Sequence, residues 1–184
     1  MIKKSILINL SDAQLEWCDK HAKEIVDHYG GDNTRGSGSY NHNKISSNLV
    51  GVKSEVATTV WLKRHVDNRK ITSNFINFKN KSLKGDLDVS GHCIEVKGLR
   101  NHQWDDFKRC IPPKQLKSYV RDNAIVVWTT TEGNKKDFKV TLQGWNYAKD
   151  VDENGVYRKT ICDNIWLEED SQMRDMESLI KELK

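Results

Sequence analysis

The stretch that decides the reading is Gly85-Asp86-Leu87-Asp88-Val89-Ser90-Gly91-His92-Cys93-Ile94-Glu95-Val96-Lys97-Gly98. Its two halves alternate apolar and polar residues, the pattern of strands with one buried face. Ser90-Gly91-His92 supplies a turn between them, so the stretch reads as a hairpin. Leu87, Val89, Ile94 and Val96 then point one way, into a core. Asp86, Asp88, Cys93, Glu95 and Lys97 point the other way. A loop of Ser90-Gly91 sets Asp86 opposite Glu95, whereas a loop of Gly91-His92 sets Asp88 there. Either register leaves three carboxylates and one ammonium on a single patch. Like charges that close repel unless a cation neutralises them. Oxygen donors of this kind suit a hard divalent ion, Mg²⁺ or Mn²⁺. The plainer alternative is a solvated sheet face carrying an ordinary Glu-x-Lys pair.

Gly85-Asp86, followed nine residues later by Glu95-Val96-Lys97 and then Gly98, resembles the motif of the PD-(D/E)XK nuclease superfamily, the restriction-endonuclease-like fold. Gly85 stands where that superfamily often has Pro. The resemblance covers roughly Leu49 to Trp145. It implies an α/β fold: an αβββαβ core whose mixed central sheet is flanked by helices, here with extra N- and C-terminal helices. It also implies a metal held by Asp86 and Glu95, with Glu55 directly or through water, and with the Val96 carbonyl as a further ligand. Lys97 would stabilise developing negative charge or orient the attacking water. Asp88, two residues beyond Asp86 and facing the same way, is its rival as ligand. Asp163-Asn164-Ile165-Trp166 and a closing helix resemble the tail of phage-type members.

The rest of the chain is read as one domain over residues 1–184. Residues 11–29 form an accessory helix, with Ser11-Asp12 as its cap and Leu15, Cys18, Ala22, Ile25 and Val26 at helical spacing. Residues 30–47 carry Gly, Ser and Asn without an apolar pattern and read as a flexible loop. Arg35, Tyr40 and Lys44 in it are candidate contacts to phosphates and bases. The catalytic core spans 48–147. It opens with a helix over 48–66, on which Glu55 lies beside an apolar stripe, where a carboxylate is costly unless paired or bound to metal. Gly51-x-x-x-Glu55-x-Ala57 resembles the superfamily's helix before the sheet, whose Glu helps organise the metal. Lys70 to Phe78 reads as the first strand. Beyond Gly98 the chain is basic and aromatic, so Arg100, His102 and Lys108 join the candidate nucleic-acid contacts. Pro112-Pro113 starts a helix that ends near Asp122-Asn123. Gln115-x-x-x-Tyr119 within it resembles a motif of some exonuclease branches, and Gln115 is a candidate for orienting water or touching phosphate. Ala124 to Thr130 is a buried strand and Asp137 to Leu142 the next, continued by Gly144-Trp145. Residues 148–184 are a C-terminal extension, with a turn-rich excursion at 152–155 and a helix over 168–183.

Composition narrows the function classes. The chain of 184 residues is 36% hydrophobic and 30% charged, with a net charge of +4 and a mean hydropathy of −0.74. No apolar run reaches the length of a membrane span, and no membrane partner is expected. The mild basicity permits nucleic-acid binding without demanding it. The four cysteines are far apart and form no Cys-x-x-Cys, which speaks against cysteine-bound zinc and for free thiols in a cytoplasm, the host's if the chain is phage-encoded. Asn41-His42-Asn43 lacks the second histidine that an HNH site would need. The expected activity is metal-dependent hydrolysis of DNA phosphodiester bonds. A Holliday-junction resolvase-like endonuclease and a non-catalytic nucleic-acid-binding protein on the same fold are the alternatives. DNA is the expected partner, and a homodimer is left open.

Overall fold

The structure, a computed structural model, describes residues 5–28, 44–79, 84–107, 109–133, 138–159 and 163–184, with backbone alone for Lys44 and Asn77. Strand β1 (Ile6–Asn9) is followed by helix α1 (Asp12–His28). Ser11 N–H donates to Gln14 Oε1 and Gln14 N–H to Ser11 Oγ, a reciprocal cap that starts α1. Then come α2 (Lys44–Leu62), β2 (Ile71–Ser73), β3 (Leu87–Val89) and β4 (His92–Arg100). A short helix α3 (Trp104–Phe107) and strand β5 (Cys110–Ile111) lead to α4 (Pro113–Arg121), β6 (Ile125–Glu132) and β7 (Lys139–Tyr147). Helix α5 (Ala148–Asn154), the hairpin β8 (Val156–Lys159) and β9 (Asp163–Trp166), and α6 (Met176–Glu182) complete the described elements.

The fold is α/β. Six strands form a mixed sheet in the order β1-β7-β6-β4-β3-β2, and β5-β9-β8 form a small second sheet. β4 and β6 run parallel, while the other neighbours in the large sheet are antiparallel. A parallel pair needs a long crossover, and α3, β5 and α4 supply it. One sheet face buries Leu87, Val89, Ile94, Val96, Ile125 and Val127 beneath α2 and α6. The other packs Val126 and Trp128 against Leu116 of α4 and Val151 of α5. β6 is thus covered on both sides, and Ile125 to Thr131 are all buried, as a central strand requires. Helix α1 lies on α2 through Cys18, Ala22, Ile25 and Val52. Among the described residues no helix is long and apolar enough to cross a membrane.

Several boundaries differ from the sequence expectation, each for a visible reason. Helix α2 begins at Lys44, inside the stretch read as a loop over 30–47; residues 29–43 lie outside those described. It ends at Leu62, after which Val66 N–H closes one last turn onto Leu62 O. The strand expected over 70–78 is only β2. At its end Asn74 is buried and its Nδ2 donates to Gly85 O at 2.9 Å, so the chain turns there. Phe75 and Phe78, three residues apart, then bury themselves around a 3₁₀ turn next to α1, where His21 Nε2 donates to Phe75 O. The excursion at 152–155 is the end of α5. The closing helix is shorter than 168–183, because Arg174 exchanges backbone hydrogen bonds with Trp145 (2.8 and 3.0 Å), which extended chain allows and a helix does not.

One close approach fixes how α2 sits on the sheet. A Cβ at Gly98 of β4 would stand 2.3 Å from Ser54 Oγ and 3.2 Å from Val50 O. Helix and strand touch there because neither a side chain nor a gap intervenes. Gly98→Ala is expected to cost about 1–3 kcal/mol by overpacking, and Ser54→Ala in the same chain should recover part of that loss. Urea unfolding of the single and double variants measures both.

A candidate active site on the polar face of the hairpin

Ser90 (φ 54°) and Gly91 (φ 87°) form a two-residue turn with both residues left-handed, the type I′ geometry that matches strand twist. It pairs Leu87 with Ile94, Asp88 with Cys93 and Val89 with His92. The register with a Ser90-Gly91 loop is therefore the one adopted. Asp88 faces Cys93, and its Oδ1 accepts Gly91 N–H at 3.1 Å, so it serves the turn. Asp86 is placed differently. Its backbone N–H donates to Ile94 O at 2.9 Å, and its Oδ2 accepts Val96 N–H at 2.8 Å. Asp86 thus brackets Glu95, held to the residue on either side of it.

Gly85 makes this approach feasible. It has φ 76°, and a Cβ on it would stand 2.7 Å from Cys93 Sγ and 2.8 Å from Ile94 O. Glycine here is a steric requirement for bringing the two strands together beside Asp86. Asn74 locks the bend from the other side, its N–H donating to Asp86 O at 2.8 Å. Sequence reading missed Asn74, a common residue type at a strand end that carries no pattern of its own.

Lys97, two residues beyond Glu95 and on the same face, points to α4. Its Nζ donates to Tyr119 Oη at 2.6 Å and to Gln115 Oε1 at 3.0 Å. Gln115 and Tyr119 are four residues apart, hence on one side of the helix. The structure therefore brings Asp86, Glu95, Lys97 and Gln115 into one neighbourhood and adds Tyr119. Burial holds the Tyr119 hydroxyl far above its ordinary range, and the charges of Glu95 and Asp86, with a hydrogen bond to Glu95, push it further in the same direction. Tyr119 Oη accepts a hydrogen bond from Lys97 and its hydroxyl hydrogen-bonds Glu95, linking ammonium to carboxylate through one phenol. Cys93 feels the same field: burial first, then Glu95, Asp122, Asp86 and Asp88, push its thiol up to about 12.

Glu55 is carried by a different element. It lies half-buried on α2, the helix that covers the Leu87 and Val96 face, whereas Lys97 reaches to α4 on the other face. Among the described residues, no three His, Cys, Asp or Glu side chains are grouped to hold a metal ion. Asp86, anchored on the backbone to either side of Glu95, and Glu95 are both half-buried carboxylates, and oxygen donors of this kind fit a hard divalent cation completed by water. Of the other candidates, Arg100 donates to Ser46 Oγ at 2.9 Å, and His102 is exposed just beyond β4. Arg35, Tyr40, Lys108 and the Lys44 side chain lie outside the described residues.

Comparison with known proteins returned no match among family models, curated proteins or solved structures.

Burial of Cys93, reinforced by the acidic field, has a measurable consequence. The Cys93 thiol ionises at about 12 in the folded protein against 9.0 ordinarily. Its contribution to stability is therefore complete below pH 9 and lost as pH rises from 9 toward 12. A Cys93→Ser variant, which has no thiol to ionise, should show a shallower fall in unfolding free energy across that window, as followed by urea titration at stepped pH.

Proposed function

We propose that the chain is a metal-dependent deoxyribonuclease of the PD-(D/E)XK kind, built on a restriction-endonuclease-like core. The observation that carries this is the bracketing of Glu95 by Asp86 with Lys97 alongside, on one face of a rigid hairpin. The element order supports it: a helix (α2), three antiparallel strands (β2, β3, β4), a helix (α4) and a strand parallel to the third (β6). The meeting of Gln115 and Tyr119 at Lys97 supports it further, since those two residues form the other half of the sequence resemblance.

The chemistry follows from the residues. Asp86 and Glu95 are the groups that would hold Mg²⁺ or Mn²⁺. When bound, such an ion lowers the pKa of coordinated water and neutralises phosphate charge. Asp86 is kept in place by Val96 N–H, so its carboxylate cannot swing away from Glu95. Lys97 carries three N–H donors. Tyr119 and Gln115 take two, which aims the third toward a phosphate oxygen at the open side of the patch. There the ammonium stabilises negative charge as it develops on the phosphoryl oxygens. Gln115 and Tyr119 act as positioning residues: they hold the ammonium in one orientation, and that orientation is where an exposed lysine would lose most of its effect. Tyr119 stays a neutral donor to Glu95 across the working pH range because its hydroxyl is held so high.

Linear, circular, single-stranded and four-way-junction DNA incubated with Mg²⁺ or Mn²⁺ should separate the outcomes. The wild type is expected to cut at least one substrate, EDTA to stop it, Glu95→Ala to abolish it, and Lys97→Ala to lower the rate about 10²–10³-fold. Preference for the junction would assign a resolvase-like endonuclease. DNA binding without cleavage under any of these conditions would leave a binding protein on this fold and sink the nuclease reading.

Tyr119→Phe tests the positioning role separately. It removes the hydroxyl shared by Lys97 and Glu95 but keeps the ring. The expected result is a fall in kcat with KM little changed, and an altered pH profile of kcat, as measured on whichever substrate the wild type cuts.

A further inference from the structure

A second feature lies at the far end of β4. The carboxyl ends of β4 and β6, the parallel pair, open into a cavity of about 400 Å³ roofed by the first turns of α2. That volume is of small-ligand size, and the ends of parallel neighbours are where α/β sheets commonly bind ligands. Its apolar wall is Leu49, Val50 and Phe138, and its polar wall includes Ser46, Arg100 and Glu132. Arg100 is half-buried and pinned by its bond to Ser46 Oγ, so the guanidinium is held in place with further N–H donors to offer. Phe138 is also fixed: the buried Lys53 ammonium sits 3.9 Å from its ring centroid, which leaves the rest of the ring to line the cavity. Thr131 is turned away from ligand duty, donating to Leu99 O.

We propose that this cavity holds one phosphorylated nucleotide unit, the phosphate on Arg100 and Ser46 and the base against Leu49, Val50 and Phe138. A fixed guanidinium next to a hydroxyl recognises a phosphate. An aromatic and aliphatic wall beside it recognises a flat, largely apolar base. Glu132 at the rim accepts from an exocyclic amine, the group cytosine presents. A bare divalent cation is disfavoured by Arg100, and a purely apolar ligand would strand it. Arg100 lies three residues beyond Lys97 on one strand, so the two side chains leave opposite faces of the sheet, and this cavity on the α2 side is a site separate from the Lys97 patch on the α4 side. The choice of a nucleic-acid ligand rests on the nuclease reading; the cavity itself does not.

The experiment uses the full chain carrying Glu95→Gln, in EDTA, so that binding is read without cleavage. Methyl resonances of Leu49 and Val50 are followed while 5′-dCMP, deoxycytidine, inorganic phosphate or a short single-stranded oligonucleotide is added, with calorimetry for Kd. The expected result is a shift of those methyls with 5′-dCMP or the oligonucleotide, tighter than with nucleoside or phosphate alone, and at least a tenfold rise in Kd in Arg100→Gln. A response to the oligonucleotide but not 5′-dCMP assigns the site to a nucleotide within a strand. A response to 5′-dCMP as strong as that to the oligonucleotide assigns it to a free nucleotide. No shift with any ligand, or a Kd unchanged in a folded Arg100→Gln, overturns the proposal; if that variant fails to fold, the methyl shifts of the Arg100 protein decide alone. A protein that binds here yet cleaves nothing keeps this inference and loses the nuclease reading, whereas cleavage with no response here does the reverse.

Discussion

A turn of two left-handed residues, Ser90 and Gly91, sets the geometry of the polar face. Side chains alternate across a strand, so the register of a hairpin decides which carboxylates are neighbours. With this turn Asp88 falls beside the loop and is drawn into it, while Asp86 falls at the end of the ladder, next to Glu95. There the strand pairing stops, and the Asp86 side chain takes the Val96 N–H that a continuing strand would otherwise have satisfied. The same hydrogen bond both ends the ladder and fixes the carboxylate. That is why the residue two positions away, identical in chemistry, has a different use.

The polar face is sustained by what packs around it. Two carboxylates and an ammonium beside a buried strand would be costly if left unpaired. Tyr119 and Gln115 relieve that cost from α4, whose Leu116 anchors the helix in the apolar cluster with Val126 and Trp128. The polar network and the apolar cluster thus share one helix: Leu116 sets its depth, and Tyr119 and Gln115 use that depth to reach Lys97. On the opposite face Gly98 and Ser54 bring α2 against β4, which also places Ser46 within reach of Arg100. Both ends of β4 are consequently equipped by neighbouring helices, one on each side of the sheet.

The hairpin was legible because its pattern is local. Alternation, a Gly-containing turn and the clustering of charge on one face all follow from residues 85–98, and the apolar residues of the opposite face are buried as expected. Helix α4 was legible for the same reason, with Pro112 before it, Pro113 at its first position and Asn123, at φ 49°, after it. What was not legible depends on partners distant in sequence. The strand expected through Phe78 is cut short because Asn74 bonds to Gly85 and the two phenylalanines find α1. The closing helix starts late because Arg174 pairs with Trp145. Glu55, in a stretch with the right spacing, lies on α2, which covers the Leu87 and Val96 face, whereas Lys97 reaches α4 on the other.

By itself the sequence determined an amphipathic hairpin with acids and a lysine on one face, since a period of two needs no information beyond the stretch that carries it. It determined the helices whose caps and stripes lie within a few turns. Only the tertiary structure decided which aspartate stands beside Glu95, that Tyr119 joins Lys97 to Glu95, and that Arg100 opens onto a cavity. Those outcomes are contacts between segments tens of residues apart, and their geometry is fixed by how closely helix and sheet can approach, which no local pattern records.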